Sequence, residues 1–180
     1  LDVMEYEGMQ VHRSWRLNER HYGALQGRYK KELAEEEGEE QVFAWRRGWD
    51  VRPPALEPDD PRAPHNDPLY AEVPKEDLPL TESLKDAFER IEPYWHDEIF
   101  PEVVAGKDVL VVAHGNSLRA IVKKIDGLSK EEVRELNLPY CAPLIYEFDK
   151  EGNKLDSYYL GDQDEIAQKA EAIKKQATLD

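Results

Sequence analysis

Cysteine is nearly absent from this sequence: Cys141 is the only one in 180 residues. A single cysteine excludes an intrachain disulfide and a cysteine-rich zinc site. It suits a reducing compartment, so a cytoplasmic location is expected. Positive charge is scarce as well, with 24 Lys and Arg against 39 Asp and Glu and a net charge of −15. Nucleic acid and anionic membrane surfaces both call for a basic face, so neither is an expected partner. No apolar run approaches the roughly 18 residues that span a bilayer, and no signal-peptide pattern opens the chain. Metal patterns are missing too. The five histidines form no i, i+4 pair around a Glu, and Asp59-Asp60 lacks the Gly and terminal Glu of a calcium loop. No Gly-x-Ser-x-Gly elbow supports serine catalysis. What is present is 40% hydrophobic residues with four Trp and nine Tyr. That is enough for a core in a chain of one domain's length, so residues 1–180 are expected to form a single domain.

Residues 1–7 read as the end of a helix, with Gly8 as its cap. Met9 to Trp15 alternates and reads as a short strand. Residues 16–27 hold two glycines and no period, so they read as a loop. Residues 28–37 and 39–47 read as helices, the second ending in Arg46-Arg47-Gly48. From Pro53 to Pro79 the chain carries eight of its 12 prolines, so this stretch is a long loop inside the domain. Thr81 opens a long amphipathic helix on Leu84, Phe88, Ile91, Trp95 and Ile99, with Pro93 as a kink. Val109 to Ala113 is a continuous apolar run of the kind buried in a parallel sheet. A helix follows it on Leu118, Ile121, Val122 and Ile125. Ser129 and Glu132 make a capping box, with Leu128 and Val133 as its hydrophobic staple. Pro143–Asp149 and Lys154–Leu160 form a hairpin, and residues 163–176 a last helix. The pattern reads as an α/β sandwich.

Three stretches carry chemistry. His114-Gly115-Asn116-Ser117 follows an apolar run and opens a helix, whose free N–H groups and positive dipole end suit an anion. Gly115 lets a ligand approach the backbone closely. The bland alternative is a core histidine followed by an Asn/Ser helix cap. In residues 17–27, Glu19 and His21 are of the type that moves protons and Tyr22 is a hydrogen-bond donor; charged loop residues are also often only solvated. Arg46-Arg47 either serve one ligand beside Gly48 or complement a helix C-terminus.

Taken together, Ser14 to Gly27, Trp45-Arg46-Arg47, Leu78 to Leu84 and Ala113 to Arg119 resemble the motifs of cofactor-dependent phosphoglycerate mutases, within the histidine phosphatase superfamily. The resemblance runs over nearly the whole chain. It implies a three-layer α/β sandwich with a mostly parallel sheet flanked by helices. It implies interconversion of 3-phosphoglycerate and 2-phosphoglycerate in glycolysis and gluconeogenesis, through a phosphohistidine enzyme primed by 2,3-bisphosphoglycerate, with no metal. Glu19 then matches the general acid/base and His114 the histidine that stabilises the phosphoryl group in flight. Tyr22, Lys30, Arg46, Arg47, Gly115 and Asn116 match the ligands of phosphate and carboxylate. Residues 53–79 and 161–180 match a lid and tail at the cleft mouth. A homo-oligomer is left open.

One departure stands out. The resemblance calls for a nucleophilic histidine in Arg-His-Gly on a first strand, and no Arg-His-Gly occurs in this sequence. The first strand–helix units of the fold have no counterpart, and Leu1 aligns inside a later helix. A fragment of a longer gene product, inactive alone, is therefore the expectation, with an exposed apolar edge at 109–113. Two other readings stand beside the mutase: a phosphomonoester hydrolase of the same superfamily, and a non-catalytic phosphoglycerate-binding remnant.

Overall fold

In the computed structural model, residues 8–177 are described, with side chains as far as Ile173. The helix end expected at residues 1–7 lies outside them. The order is helix α1 (Lys30–Glu37), α2 (Glu39–Arg47), α3 (Leu84–Tyr94), α4 (Phe100–Val104), α5 (Gly115–Asp126), α6 (Lys130–Glu135), strands β1 (Leu144–Phe148) and β2 (Lys154–Tyr159), and α7 (Gln163–Ala177).

α3 starts at a capping box rather than at Thr81. Ser83 is the N-cap, its side chain accepts from the Asp86 N–H, and Asp86 reaches back to the Ser83 backbone. Pro93 lies inside α3 and has no N–H to donate. Just beyond it the chain passes through a π-helical turn, Trp95–Ile99, before α4 begins. The turn keeps the apolar stripe in register. Leu84, Ile91, Trp95 and Ile99 are buried together with Ala120 and Ile121 of α5 and Val133 of α6. Burial of each large side chain in this set stabilises the fold by roughly 1.5–3 kcal/mol. The capping box at Ser129 and Glu132 sets the start of α6, as its sequence predicts. A second small core, Leu25, Leu33, Val42 and Trp45, joins α1 and α2 to the segment before them.

β1 and β2 pair antiparallel, with Leu144 opposite Tyr159. Asp149 closes their turn by accepting from the N–H groups of Glu151 and Asn153. The hairpin docks on α4 through an edge-to-face contact of Phe100 with Phe148, 5.6 Å between ring centroids. A Cβ on Gly152 would lie 2.9 Å from Phe100, so the turn needs glycine there.

Two expected strands are not seen. Residues 9–14 have no regular structure and lead into a 3₁₀ turn at Trp15–Leu17. Residues 109–113 carry no strand, and the sheet among the described residues is the two-stranded hairpin alone. The reason is the same for both: a strand exists only where a neighbouring strand takes up its N–H and C=O groups, and among the described residues no strand pairs with either stretch. The apolar stretch expected to be exposed is exposed, Leu110 at 60% and Val112 at 78%. The Pro-rich segment is a loop of three short 3₁₀ turns, at Pro64–Asn66, Pro68–Tyr70 and Lys75–Asp77. It is pinned by buried Leu56, Ala63 and Leu78.

Candidate active site

Residues 16–27 have no regular period, yet a buried ion pair holds them. Glu82 is 3% exposed and lies 2.6 Å from Arg90 of α3. Glu82 also accepts from the His21 N–H at 2.8 Å. Arg90 donates to the carbonyls of Arg16, Asn18 and Glu19. From the other side the Ser117 hydroxyl donates to the Asn18 carbonyl at 2.7 Å. Gly23, at φ +57°, sits where a Cβ would lie 2.1 Å from the Pro54 carbonyl oxygen. The loop therefore folds only against α3, α5 and the start of the Pro-rich segment.

This clamp aims Glu19 at the start of α5. One carboxylate oxygen accepts from the Asn116 N–H at 3.3 Å, the other from the Arg20 N–H at 2.6 Å. The carboxylate thus sits in the positive field of a helix N-terminus. His114 is the N-cap of α5, its side chain makes no cap hydrogen bond, and it is exposed. That rules out the core-histidine alternative. The Asn/Ser cap alternative fails as well, because Ser117 turns to Asn18 and Asn116 to its neighbours Tyr22 and Arg119.

All eight candidates from the sequence line one cleft of about 290 Å³: Glu19, Tyr22, Lys30, Arg46, Arg47, His114, Gly115 and Asn116. A Cβ on Gly115 would meet open space, so the backbone there can be approached closely. The Arg46 guanidinium stands 5.2 Å from the Tyr22 ring centroid. Arg47 differs in kind. It donates to the carbonyls of Arg134 and Leu136 at 2.9 and 2.7 Å and to Asn137 Oδ1, so much of its fork holds the end of α6. A larger cavity of about 1070 Å³ adjoins the cleft, with Glu19 and His114 lining both and residues of the Pro-rich segment on its far wall.

Sequence reasoning missed two arginines. Arg119 lines the cleft and is 3% exposed. Its signal was available, since it lies one turn after Asn116 on the same helix face. Arg20 is 2% exposed, packs 4.3 Å from the Tyr22 ring centroid, and donates to the carbonyls of Trp45 and Arg46. Nothing in the spacing of the sequence marks it. Leu138, Tyr140 and Ile173 of α7 complete the wall.

The electrostatics are those of a site built for an anion. Burial pulls Lys30 below its ordinary proton affinity, and Arg46 adds to the effect. Burial also lowers Arg47. Arg119 is pushed down to about 9 by burial, then by Arg47 and Arg20. Burial alone would raise the Tyr22 phenol, but Arg20 and Arg46 outweigh it and leave Tyr22 more acidic than usual. An anion placed among these groups relieves their mutual repulsion. Among the described residues, no group of three His, Cys, Asp or Glu is placed to hold a metal ion. No described helix is long and apolar enough to cross a membrane.

A cleft with an exposed histidine and a carboxylate at one helix N-terminus, ringed by cations, is suited to a small anionic ligand. The family model of the histidine phosphatase superfamily (branch 1) matches residues 2–160, and the chain belongs to that superfamily. Within it, the chain is 52% identical over 176 residues to the 2,3-bisphosphoglycerate-dependent phosphoglycerate mutase of Hamiltonella defensa subsp. Acyrthosiphon pisum (strain 5AT). It is 53% identical over 177 residues to the enzyme of the same name from Dichelobacter nodosus (strain VCS1703A). Each match takes in 98% of this chain, and 71% and 72% of the two relatives respectively.

Proposed function

We propose that this chain serves the 2,3-bisphosphoglycerate-dependent interconversion of 3-phosphoglycerate and 2-phosphoglycerate, an isomerase reaction of glycolysis. The observation that carries the reading is the convergence of Glu19, His114 and at least four cationic side chains on one cleft in a chain of net charge −15. A chain so acidic binds a small polyanion only where its cations are gathered. The relatives named above support the substrate class.

Glu19 takes and returns the proton of the substrate hydroxyl, held in place by its two backbone donors. His114, exposed at the cleft, steadies the phosphoryl group. Lys30, Arg46 and the α5 N-terminus at Gly115 and Asn116 bind phosphate and carboxylate oxygens, together with Tyr22 and the outward part of Arg47. The donor set fits 2,3-bisphosphoglycerate as well, because it is all donors apart from Glu19. When bound, that ester supplies the priming phosphoryl group. The three-layer sandwich belongs to this reading, with residues 109–113 as a strand that pairs when a neighbour is present.

Calorimetric titration of 3-phosphoglycerate into the chain tests the reading. Saturable one-site binding that weakens with added salt is expected. In an enolase-coupled assay the 180-residue chain is expected to show no turnover, because its sequence has no Arg-His-Gly to carry a phosphoryl group. Absence of binding at millimolar ligand would overturn the substrate assignment. Release of inorganic phosphate instead of isomerisation would favour the hydrolase.

A further inference from the structure

Arg119 is one of the four cationic side chains of the cleft, but no contact with the ligand is assigned to it above. We propose that Arg119 is a positioning residue which, by fixing the Asn116 carboxamide, commits the hydroxyl proton of Tyr22 to the bound anion. The proposal rests on the reading of the cleft as a phosphoglycerate site.

The argument follows from donor and acceptor counts. Arg119 Nη1 donates to Asn116 Oδ1 at 2.8 Å. A guanidinium carries donors only, so the Asn116 atom facing it has to be the carbonyl oxygen. The other end of the carboxamide is then the NH₂ group, and it lies 2.8 Å from the Tyr22 hydroxyl. Tyr22 has to accept there. Its own proton must go elsewhere, and the groups packed on the ring offer nothing to receive it. Arg20 and Arg46 flank the ring at 4.3 and 5.2 Å, and both are donors only. The Glu19 oxygens accept from the Arg20 and Asn116 N–H groups, and among the described residues no hydrogen bond joins them to Tyr22. Among the described residues no hydrogen bond is donated by Tyr22 Oη. Tyr22 lines the cleft, so a phosphate or carboxylate oxygen bound there is the acceptor its hydroxyl suits. The lowered proton affinity of the phenol strengthens such a donor.

Without Arg119 the carboxamide is free to turn over. Asn116 Oδ1 then faces Tyr22, accepts the phenolic proton, and the ligand loses a donor. Arg119 also donates to the Val133 carbonyl, so a purely structural role, tying α5 to α6, is the competing explanation. Among the described residues its Nε has no partner.

The Tyr22→Phe penalty on 3-phosphoglycerate affinity, measured by calorimetry in three backgrounds, separates the two. In the parent the substitution is expected to weaken binding about tenfold, the size of one hydrogen bond to a charged acceptor. In Arg119→Lys, which still presents only donors to Asn116, the penalty is expected to stay within about threefold of that value. In Arg119→Met the penalty is expected to shrink to about threefold or less, because the proton is already misdirected. A full penalty in Arg119→Met would overturn the proposal, as would its disappearance in Arg119→Lys. Melting temperatures report any unfolding separately. If Arg119→Met does not fold, the Lys background and Arg119→Gln, whose amide permits either orientation, decide the question.

A ligand-free readout keeps this result distinct from the substrate reading. The absorbance titration of Tyr22, taken as the difference between each protein and its Tyr22→Phe partner, is expected to move to higher pH in Arg119→Met and much less in Arg119→Lys. An unmoved titration in Arg119→Met would overturn the positioning role even if the parent binds 3-phosphoglycerate. A parent that binds no phosphoglycerate would overturn the substrate reading while the titration still decides the geometry.

Discussion

Residues 16–27 and residues 107–114 both end at the same cleft, one bringing Glu19 and Tyr22, the other His114. The first has two glycines, many polar side chains and no period, yet its backbone is gripped by Arg90, Glu82 and Ser117. The second contains the most strand-like run of the chain, yet it pairs with no described residue and leaves Val109, Leu110 and Val112 exposed. Local composition states what a segment can do; the partners at its edges state what it does. A polar loop becomes rigid when each exposed carbonyl meets a buried donor. An apolar run stays without strand structure when its N–H and C=O groups meet none.

Removing the clamp should break that contrast most strongly. Glu82→Ala leaves Arg90 buried without its counter-charge, and the loss of one partner of a buried pair costs about 3–5 kcal/mol. Denaturant unfolding should show a loss of that size. Next, Gly23→Ala has to place a side chain at φ +57° against the Pro54 carbonyl. A left-handed residue costs about 1–2 kcal/mol and overpacking about 1–3 kcal/mol, so a loss of roughly 2–5 kcal/mol is expected in the same experiment. A smaller loss would show that the loop can move away from the Pro-rich segment.

Arg46→Lys probes what the gripped loop is for. The planar fork is lost while the charge is kept. If Arg46 holds two oxygens of the ligand, affinity for 3-phosphoglycerate should drop by about 1.5–3 kcal/mol, roughly ten- to a hundredfold. Lys150→Arg, in the hairpin turn, should leave it unchanged. Unchanged affinity in Arg46→Lys would remove Arg46 from the site.

A weaker, pH-dependent effect sharpens the comparison. Burial lowers the proton affinity of His21 below 6.5, against the pull of Glu82, and its Nδ1 accepts the Gly23 N–H at 3.0 Å. A base with a lowered value is kept neutral by folding. Its contribution is therefore complete above pH 6.5 and is lost as pH falls through the lowered value. The melting temperature should fall more between pH 7.5 and pH 5 in the parent than in His21→Asn, which keeps an acceptor but does not titrate. Smallest of all, Val112→Thr in the exposed run should change stability by no more than about 0.5 kcal/mol. A larger loss would mean that this run is covered in solution.

Much of the helical structure was legible because its causes are local. The spacing of Leu84, Ile91, Trp95 and Ile99, the Ser129–Glu132 box and the Lys150–Asn153 turn each act within a few residues. Helix α3 starts after Ser83 rather than at Thr81, and the Ser-x-x-Asp spacing of Ser83 and Asp86 is itself a capping-box pattern. The strands expected at 9–15 and 109–113 are absent among the described residues for a deeper reason. Alternation and apolarity describe the side chains, whereas pairing depends on another segment.

The sequence by itself determined the residue types of the cleft, their motifs, and the chemistry they permit. Glu19, Tyr22, Lys30, Arg46, Arg47, His114, Gly115 and Asn116 all stand in recognisable stretches, and all meet in one cleft. Only the tertiary structure decided how their donors and acceptors are shared out. It spends Arg47 on the end of α6, sets Glu19 between two backbone N–H groups, and slides Arg20 and Arg119 beneath Tyr22 and Asn116. The physical reason is that a hydrogen bond depends on tenths of an ångström and on direction. Those are set by packing between α2, α3 and α5, whose contacts join residues far apart in the chain.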